Sequence, residues 1–556
     1  MSNRLARTAL VALLVSAAPS ACSPSWYAES ADREVNGILT DYQAKVLADR
    51  EGTVVYPKLV PPESQSEGAD GSVVVDSSEP PRLVTLNEAL GLAFTASRDF
   101  KLQTESLYLE GLGYSLTRYN FGPILNSTIS YLWNKSDGSP NSDTLAGTFG
   151  VRQILPTGGT VSLDSGLRTS ALGAGSPIGA IDEGEIGSNV AISLRQPLLR
   201  GAGSEVAYES LTQGERNVVY AVRSFELFRQ DFAIRVTGAY YQLVSRKLQL
   251  ANDEQNYKDA VFDRKKAEAL RQVDRYREED VFLARRREVD AEDALLVART
   301  DYQLALEDFR ILVGLPRGTR IDIVDDQPPF EPVRVEPESA VAAATVNRLD
   351  LHTERDQLED AERQVRLARN DLLPDLDLAA SAGLEGSGSS IRKALPDRDD
   401  ANVGLTFTLP LDQQAERNSY RASLISLERS RRNLERFEDE LRRDILNSVR
   451  ELQQIEKRIQ IQTDQIERER RAVAVTQVRY EAGDAETRDV LDARQGLTTA
   501  QNALIDLKVQ HFTQRIQLLR NIGVFFVDDN GIWKSDGSAP SGDAGRNDTP
   551  QENATP

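Results

Sequence analysis

The sequence predicts a mainly α-helical fold with membrane-type β-strands, in which long helical hairpins and short strands are internally duplicated. Three observations support this: a hydrophobic repeat of 3.5 residues in long helical segments, period-two alternation in four short segments, and a repeat of the whole pattern along the chain. At 556 residues, the chain is long enough for two or three average domains.

Composition excludes several classes of protein. The formal net charge of -20 argues against a nucleic-acid surface, which needs basic patches to neutralise phosphate. With two histidines (His352 and His511) and one cysteine (Cys22), a His/Cys metal centre, a cysteine nucleophile and a disulfide framework are disfavoured. The sequence shows no nucleophile elbow or phosphate loop. We therefore expect no catalytic, cofactor-binding or metal residues, no cofactor, no nucleic-acid partner and no enzymatic activity.

The N-terminus has the features of an export signal over residues 1–22. Arg4 and Arg7 precede an apolar stretch at 8–18, and small residues lead up to Cys22, where a bacterial lipoprotein carries its acylated cysteine. Plain cleavage near Ala21 is the alternative to lipidation. After residue 22 no run of about 18 apolar residues occurs. If the chain crosses a membrane, we expect it to do so with strands.

The chain repeats itself once. Residues 280–285 (DVFLAR) correspond to 489–494 (DVLDAR), and Gly314 corresponds to Gly523, both at an offset of 209. The predicted organisation is a lipoprotein-type signal peptide, an N-terminal extension with a linker, a first strand–hairpin repeat, a connector, a second repeat and a disordered tail. The signal peptide spans 1–22 and the extension with its linker 23–82. The first repeat spans 83–315, the connector 316–346, the second repeat 347–527 and the tail 528–556.

The helices are predicted to be very long. Apolar residues from Leu424 to Ile466 recur every 3.5 residues, the period of a coiled-coil seam. No Pro or Gly interrupts 411–482, so this helix could reach roughly 100 Å. Gly483 interrupts the pattern, which resumes up to Gly523. Each copy is therefore a long helical hairpin, and a coiled-coil scaffold protein would share this periodicity.

The strands argue against a simple scaffold. Apolar and small or polar residues alternate in segments 125–133, 190–194, 376–382 and 403–409, as membrane strands require between lipid and water. Four strands cannot close a barrel, which needs about eight, so the chain must oligomerise. Residues 145–155 and 160–169, joined by 156–159, form two further predicted strands. They either extend the barrel or form an extracellular hairpin.

At this point the chain resembles the TolC-like outer-membrane efflux protein family over residues 83–527. The resemblance is carried by three motifs: 83–90 (LVTLNEAL), 366–374 (RLARNDLLP), and the pair of 480–483 (YEAG) and 489–493 (DVLDA). The resemblance implies a homotrimer whose α-barrel tunnel crosses the periplasm and continues into a shared outer-membrane β-barrel.

The resemblance also implies functional residues. Asp489 and Asp492 match the family's acidic pore aperture, although an exposed Asp pair is ordinarily a solvated helix face. Tyr480 and Asp280 match a latch that holds the closed state, although Tyr480 could equally be a packed core aromatic. The family's latch arginine, two residues after the tip glycine, is Ala485 here.

The hairpin tips are where such channels dock a periplasmic adaptor. The matching residues of the second tip are Ala482, Gly483 and Asp484. The first tip, at residues 275–279, has no glycine. Adaptor contact is therefore expected to differ between the two tips.

The function implied is that of an outer-membrane exit duct of a tripartite efflux pump, passively conducting drugs, metals or other small molecules. The implied partners are a periplasmic adaptor (membrane fusion) protein, an inner-membrane pump of the RND, ABC or MFS type, and outer-membrane lipid. A type I protein secretion duct is the alternative within the family, and an exported coiled-coil scaffold is the alternative outside it. The implied location is the cell outer membrane.

Overall fold

A computed structural model describes residues 24–47, 81–134, 142–172, 185–273, 277–388, 393–396, 398–482, 484–528 and 531–532. The predicted export signal with Cys22, most of the predicted linker, residues 275–276 of the first hairpin tip, Gly483 and most of the C-terminal tail lie outside these residues. No helix of the described residues is both long enough and apolar enough to span a bilayer.

Two long helical hairpins dominate the molecule. The first consists of α5 and α6, and the second of α9 and α10. In chain order the helices are α1 Pro24–Leu47, α2 Leu86–Ala96, α3 Arg98–Phe121, α4 Ser204–Ala207, α5 Glu209–Gln272, α6 Glu278–Val313, α7 Pro337–Asn347, α8 Leu349–Asn370, α9 Gln414–Ala482 and α10 Thr487–Ile522.

The strands form two sheets. Short parallel strands β1 (Arg82–Val84) and β6 (Ile321–Ile323) pair beside the helices. The other six form one antiparallel sheet in the order β2-β3-β4-β5-β7-β8. Their bounds are β2 Ile124–Asn134, β3 Ser142–Ile154, β4 Thr160–Leu172, β5 Glu185–Pro197, β7 Asp375–Gly388 and β8 Arg398–Thr408.

The expectation of four strands per chain was therefore too low. The two further segments, left open between an extension of the main sheet and a separate hairpin, are β3 and β4, and they lie in register between β2 and β5. The tight turn at Gly158 (φ +89°) sets β4 directly beside β3. The second copy contributes two strands and the first copy four, so the duplication is unequal in the sheet.

Register places most of the large apolar residues of the six strands on one face. Ile129 is opposite Gly147, Leu163 is opposite Ile192, and Leu378 is opposite Leu405. With the exception of Leu132, the exposed large apolar side chains described in this sheet share that face, namely Leu125, Ile129, Tyr131, Phe149, Leu163, Leu167, Val190, Ile192, Leu384, Val403, Leu405 and Phe407. The other face carries polar contacts such as the ion pair of Arg195 with Asp377 at 2.8 Å.

The coiled-coil prediction for the second copy is confirmed along the central part of α9. Its buried residues are members of the predicted 3.5-residue series, namely Leu441, Ile445, Val449, Leu452, Ile455, Ile459 and Ile466. They pack on α10, α8 and α7. The helix begins at Gln414, three residues later than the start of the uninterrupted segment.

The two hairpins repeat one another in detail. Helices α6 and α10 correspond at an offset of 209 from first to last residue. Each ends at a glycine with φ +82° and ψ +22°, Gly314 and Gly523. This left-handed conformation favours glycine. At Gly314 an added Cβ would lie 2.4 Å from the carbonyl oxygen of Ala96, so the chain packs closely there as well.

The main core surrounds the middle of α5. Phe225, Phe232 and Tyr240 are buried there, and the ring of Phe232 lies 5.4 Å from that of Phe94 on α2. The N-terminal helix α1 packs against α3 at Gly111, where an added Cβ would meet Val35 Cγ1 at 2.7 Å. Missing side-chain volume at Gly111 therefore makes room for α1.

Candidate functional site at the hairpin tips

The tips are the ends of the hairpins farthest along the chain from the sheet. In the second hairpin, α9 ends at Ala482 and α10 begins at Thr487. Ala482 and Asp484 are exposed. The backbone N–H of Asp484 donates to the carbonyl of Arg479 at 2.8 Å, and the Arg479 guanidinium donates to the carbonyl of Asp484 at 3.2 Å. These two predicted docking residues are therefore held in a short turn, while Gly483 lies outside the described residues.

Asp489 has a local structural role in addition to its predicted one. It is the third residue of α10, and its Oδ2 accepts from the backbone N–H of Glu486 at 3.0 Å, as in a capping box. The carboxylate thus satisfies an N–H at the positive end of the helix dipole. Local helix geometry alone is enough to explain an aspartate at this position.

Asp492, the other predicted aperture residue, lies one turn along α10. Its Oδ2 is 3.7 Å from Arg488 Nε, and both side chains are about three-quarters exposed (75% for Arg488 and 74% for Asp492). An ion pair with this exposure is weak. It nevertheless places a positive charge beside one of the two predicted aperture carboxylates.

Tyr480 links the two hairpins through its ring. The ammonium of Lys266 on α5 lies 5.4 Å from the centroid of the half-buried ring, a cation–π contact. Asp280 caps α6, its Oδ2 accepting from the backbone N–H of Arg277 at 3.1 Å. Both predicted latch residues thus have identified contacts, Tyr480 with the first hairpin and Asp280 with the start of its own helix.

A polar seam between α5 and α10 was missed by the sequence reasoning. Asn252 donates to Asn502 at 2.6 Å, Ser245 donates to Asp506 at 2.7 Å, and Arg494 pairs with Asp263 at 2.6 Å. Nearer the sheet the same two helices meet through apolar rings, Tyr241 against Phe512 at 4.8 Å. Nearer the sheet still, Arg520 on α10 pairs with Asp231 on α5 at 2.8 Å, so polar and apolar contacts are mixed along these two helices.

Asp263 and Arg494 are the ion pair of this seam nearest the tips. The carboxylate is 20% exposed and the guanidinium 30%. Burial is the largest influence on the Asp263 carboxyl and raises its pKa, while the Arg494 guanidinium acts in the opposite direction. Nothing in the sequence singles out these residues, because each is one charged residue among many on an amphipathic helix.

A second polar seam, between α5 and α8, lies nearer the sheet. Arg216 pairs with Asp360, Tyr220 donates to Asp360 at 2.6 Å, and Arg363 pairs with Glu209 at 2.7 Å. Asp360 and Arg363 are buried in the chain, and burial of charges is tolerated here because each is paired. These contacts join the first copy to the second within one chain.

No group of three or more His, Cys, Asp or Glu side chains in the described ranges could hold a metal ion. The geometry thus presents a helical tip with acidic helix caps and polar seams, joined at the far end to a sheet with one apolar face.

Comparisons with known proteins agree with this architecture. A family model described as outer membrane efflux protein matches residues 340–524. Alkaline protease secretion protein AprF of Pseudomonas aeruginosa is 27% identical over 359 residues, covering 60% of this chain and 69% of AprF.

Solved structures show the same fold. The Campylobacter jejuni CmeC outer membrane channel has 15% identity and a TM-score of 0.58, covering 81% of this chain and 87% of CmeC. The outer membrane protein VceC of Vibrio cholerae has 16% identity and a TM-score of 0.58, covering 79% of this chain and 96% of VceC. The open-state MtrE channel of Neisseria gonorrhoeae has 14% identity and a TM-score of 0.59, covering 79% and 89%.

These matches confirm the predicted mainly α fold with its duplicated hairpins and the predicted resemblance. They also agree with the predicted location in the outer membrane. Residues 340–524 of the chain are thus similar to the outer membrane efflux protein family, and the chain as a whole shares the fold of solved outer-membrane channels.

Proposed function

We propose that this protein is the outer-membrane exit duct of a tripartite efflux pump and works as a homotrimer without catalysing a reaction. The observation that carries the proposal is the six-stranded sheet with an apolar face and two open edges, β2 and β8. Exposed aliphatic and aromatic side chains on one face of a sheet suit hydrocarbon, and polar residues on the other face suit a water-filled passage.

The open edges support assembly. A strand edge with unsatisfied N–H and C=O groups is costly in lipid. If β8 of one copy pairs with β2 of the next, three copies leave no open edge. A soluble scaffold with a small β domain gives no reason for apolar residues to collect on one exposed face across all six strands.

The long hairpins would extend the duct into the periplasm, with the tips of residues 482–486 and of the first hairpin meeting the adaptor. An inner-membrane pump of the RND, ABC or MFS type would then deliver the substrate through that adaptor. The acidic residues Asp489 and Asp492, near the tip of α10, would line the narrow end of the passage and favour cations.

Type I protein secretion is the second candidate, and one observation favours it. The relative AprF is, by its name, a secretion protein for an alkaline protease. Deleting the gene separates the two candidates: loss of small-molecule resistance with an unchanged set of secreted proteins supports efflux, and the reverse supports secretion.

The first experiment is the native mass of the protein extracted in detergent from fractionated outer membrane. A trimer in that fraction is the expected result. A monomer or dimer in the soluble fraction would show that the strands never enter lipid and would overturn the duct.

A further inference from the structure

The β3–β4 hairpin is built into the main sheet along its whole length. Strand β3 pairs with β2 over the full extent of β2, from Ile124 to Asn134. On the other side of the hairpin, β4 pairs with β5 from Thr160 to Ser170. The hairpin therefore adds two complete strands to the sheet of each chain.

The turn between β3 and β4 is fixed to the helix end of the sheet. Gln196, near the end of β5, donates from its Nε2 to the carbonyl of Thr157 at 3.0 Å. The backbone N–H of Gly203, just before α4, donates to the same carbonyl at 3.1 Å. An added Cβ at Gly158 would lie 2.3 Å from the carbonyl oxygen of Gly201, so the turn packs closely on the chain leading to the helices. The hairpin thus begins at the level where the sheet joins the helices.

The hairpin also continues both faces of the sheet. Phe149 of β3 and Leu167 of β4 are exposed on the apolar face. On the polar face, the hydroxyl of Ser162 lies 2.7 Å from that of Ser193 on β5. A wall between lipid and water needs this alternation in every strand, and β3 and β4 meet the requirement as the other strands do.

The polar face carries charges of both signs. Glycines at 150, 383 and 404 on this face keep its side-chain layer thin. The charged residues on it include Arg152, Arg168, Arg195 and Arg398, and Asp164, Asp375, Asp377, Glu385 and Asp400. A passage lined by this face suits hydrophilic cargo of either charge.

Strand number sets the width of a closed sheet. Neighbouring strands lie about 4.8 Å apart and tilt by about 40° in a membrane barrel. Six strands from each of three chains make eighteen, which form a ring about 36 Å in diameter, whereas four strands per chain would give about 24 Å. Side chains fill about 5 Å inside the ring, so the lumen would be about 26 Å wide with the hairpin and about 14 Å without it.

The ring of helices has a similar width. Contacts within the chain place four helices side by side in the order α6, α5, α10 and α9, so three chains contribute twelve. Packed helix axes lie about 8–10 Å apart, which gives a ring about 31–38 Å in diameter. Eighteen strands match this ring, whereas twelve would narrow the passage where the sheet meets the helices.

We propose that the β3–β4 hairpin sets the size of the exit, because it makes the shared barrel one of eighteen strands and about as wide as the helical tunnel. The outer end then passes hydrophilic cargo up to about 26 Å across, which includes a compact polypeptide as well as a small molecule. The inference rests on the proposed trimer and adds the size class of cargo that its outer end admits. Selection by size then falls to the tips.

The test measures the lumen with thiol reagents of fixed length. Ser381 lies on the polar face of β7, between Ser193 and Asn402, and C22S removes the chain's one cysteine. In that background the thiols of S381C should be about 27 Å apart in a trimer of eighteen strands and about 16 Å apart in one of twelve. A bismaleimide that spans about 30 Å should link at least about tenfold more pairs of chains than one that spans about 17 Å, because a linker too short for the gap cannot join its ends. The readout is denaturing electrophoresis of the detergent-extracted protein.

The matched control is A380C, because Ala380 is the neighbouring residue and lies on the apolar face. Its thiols would lie outside the wall, about 36 Å apart, and neither reagent should link them. A second variant lacks residues 142–172, which removes β3 and β4 and leaves β2 and β5 free to pair with their apolar faces on the same side. With S381C in this variant, the shorter reagent should link the chains.

Efficient linking of full-length S381C by the shorter reagent, in a protein with the native mass of a trimer, would place β3 and β4 outside the wall and overturn the inference alone. Linking of full-length S381C by neither reagent, or of A380C by either, would overturn it as well. A deletion variant that assembles and still resists the shorter reagent would show that the hairpin does not set the width. If the deletion variant fails to assemble, the comparison of the two reagents on the full-length chain decides. A full-length protein that is not a trimer would overturn both the inference and the proposed function.

Discussion

Asp280 and Asp489 occupy the same place in the two hairpins, each accepting a hydrogen bond from the backbone N–H three residues before it, at 3.1 Å and 3.0 Å. Each is the third residue of its helix, and its carboxylate binds the backbone N–H of the residue just before the helix. The two aspartates were predicted to serve a latch and an aperture. The structure gives both of them the same local role in starting a helix, so a test of either function has to preserve the cap.

Cation preference can be tested without breaking the cap. D489N with D492N removes two charges per chain, while the amide oxygen at 489 still accepts from Glu486, because Asn serves nearly as well as Asp in helix capping. Planar-bilayer recordings should show reduced cation selectivity with little change in thermal stability. D280N, which alters the equivalent cap of the first hairpin, should leave selectivity intact. Unaltered selectivity in the double variant would remove the aperture from this position.

The closed state is expected to depend on the seam between the hairpins. R494A leaves Asp263 without its ion pair and should raise closed-state conductance, and Y480A should do so as well because it removes the ring that contacts Lys266. R299A serves as the control, since its partner Glu254 lies within the same hairpin. If R494A and R299A conduct alike, the seam does not hold the channel closed.

Docking of α1 should depend on the lack of a side chain at Gly111. G111L would drive its side chain into Val35 and Leu39, at a cost of about 1–3 kcal/mol for overpacking. Limited proteolysis should then cut the 24–47 segment faster. Gly113 is the control, because an added Cβ there meets nothing within 4 Å and G113L gains the same helix propensity. Equal protease sensitivity of the two variants would contradict the packing described for α1.

Acid should destabilise the protein through His511. This side chain is fully buried, with its Nε2 3.3 Å from Glu456, its ring against Phe330, and Arg515 one turn along α10. Burial is the largest influence and lowers the pKa of His511, although Glu456 opposes the shift. The neutral form is therefore favoured in the folded state. The stability that the neutral His511 side chain contributes is fully present above the pKa of histidine in the unfolded chain, about 6.5. It is lost as the pH falls below that value.

The measurement is the thermal midpoint between pH 7.5 and pH 5.5 for wild type, H511Q and H352Q. H511Q should flatten the loss of stability on acidification, whereas H352Q, which changes the chain's other histidine, should not. The same slope in all three proteins would show that another group controls the acid response.

The sequence was sufficient to predict buried positions where its hydrophobic pattern is periodic over many residues. The burial of Ile445, Val449 and Leu452 follows directly from a 3.5-residue repeat that no Pro or Gly interrupts. The equivalence of Gly314 and Gly523 follows from their shared offset, and the structure shows that both adopt the left-handed conformation that glycine tolerates.

Contacts between distant elements were beyond the reach of the sequence. Whether β3 and β4 join the main sheet depends on pairing with β2 and β5, and alternation within one strand carries no information about its neighbours. Asp263 and Arg494 are 231 residues apart, and a charged residue on a long helix looks the same whether it faces water or a partner.

The direction in which α1 lies on α3 sets a limit on where the N-terminus can be anchored. Asp32 bonds Tyr108 and Tyr42 contacts Tyr114, so the two helices run the same way and Pro24 lies at the end away from the sheet. By helix rise, Pro24 is about 30 Å below the sheet end of α3. Cys22 is two residues earlier, a span of at most about 7 Å. A lipid attached there could enter a bilayer at the level of the sheet only after α1 had left its groove. If Cys22 is acylated, insertion of its lipid at that level and docking of α1 would therefore be alternative states of one segment.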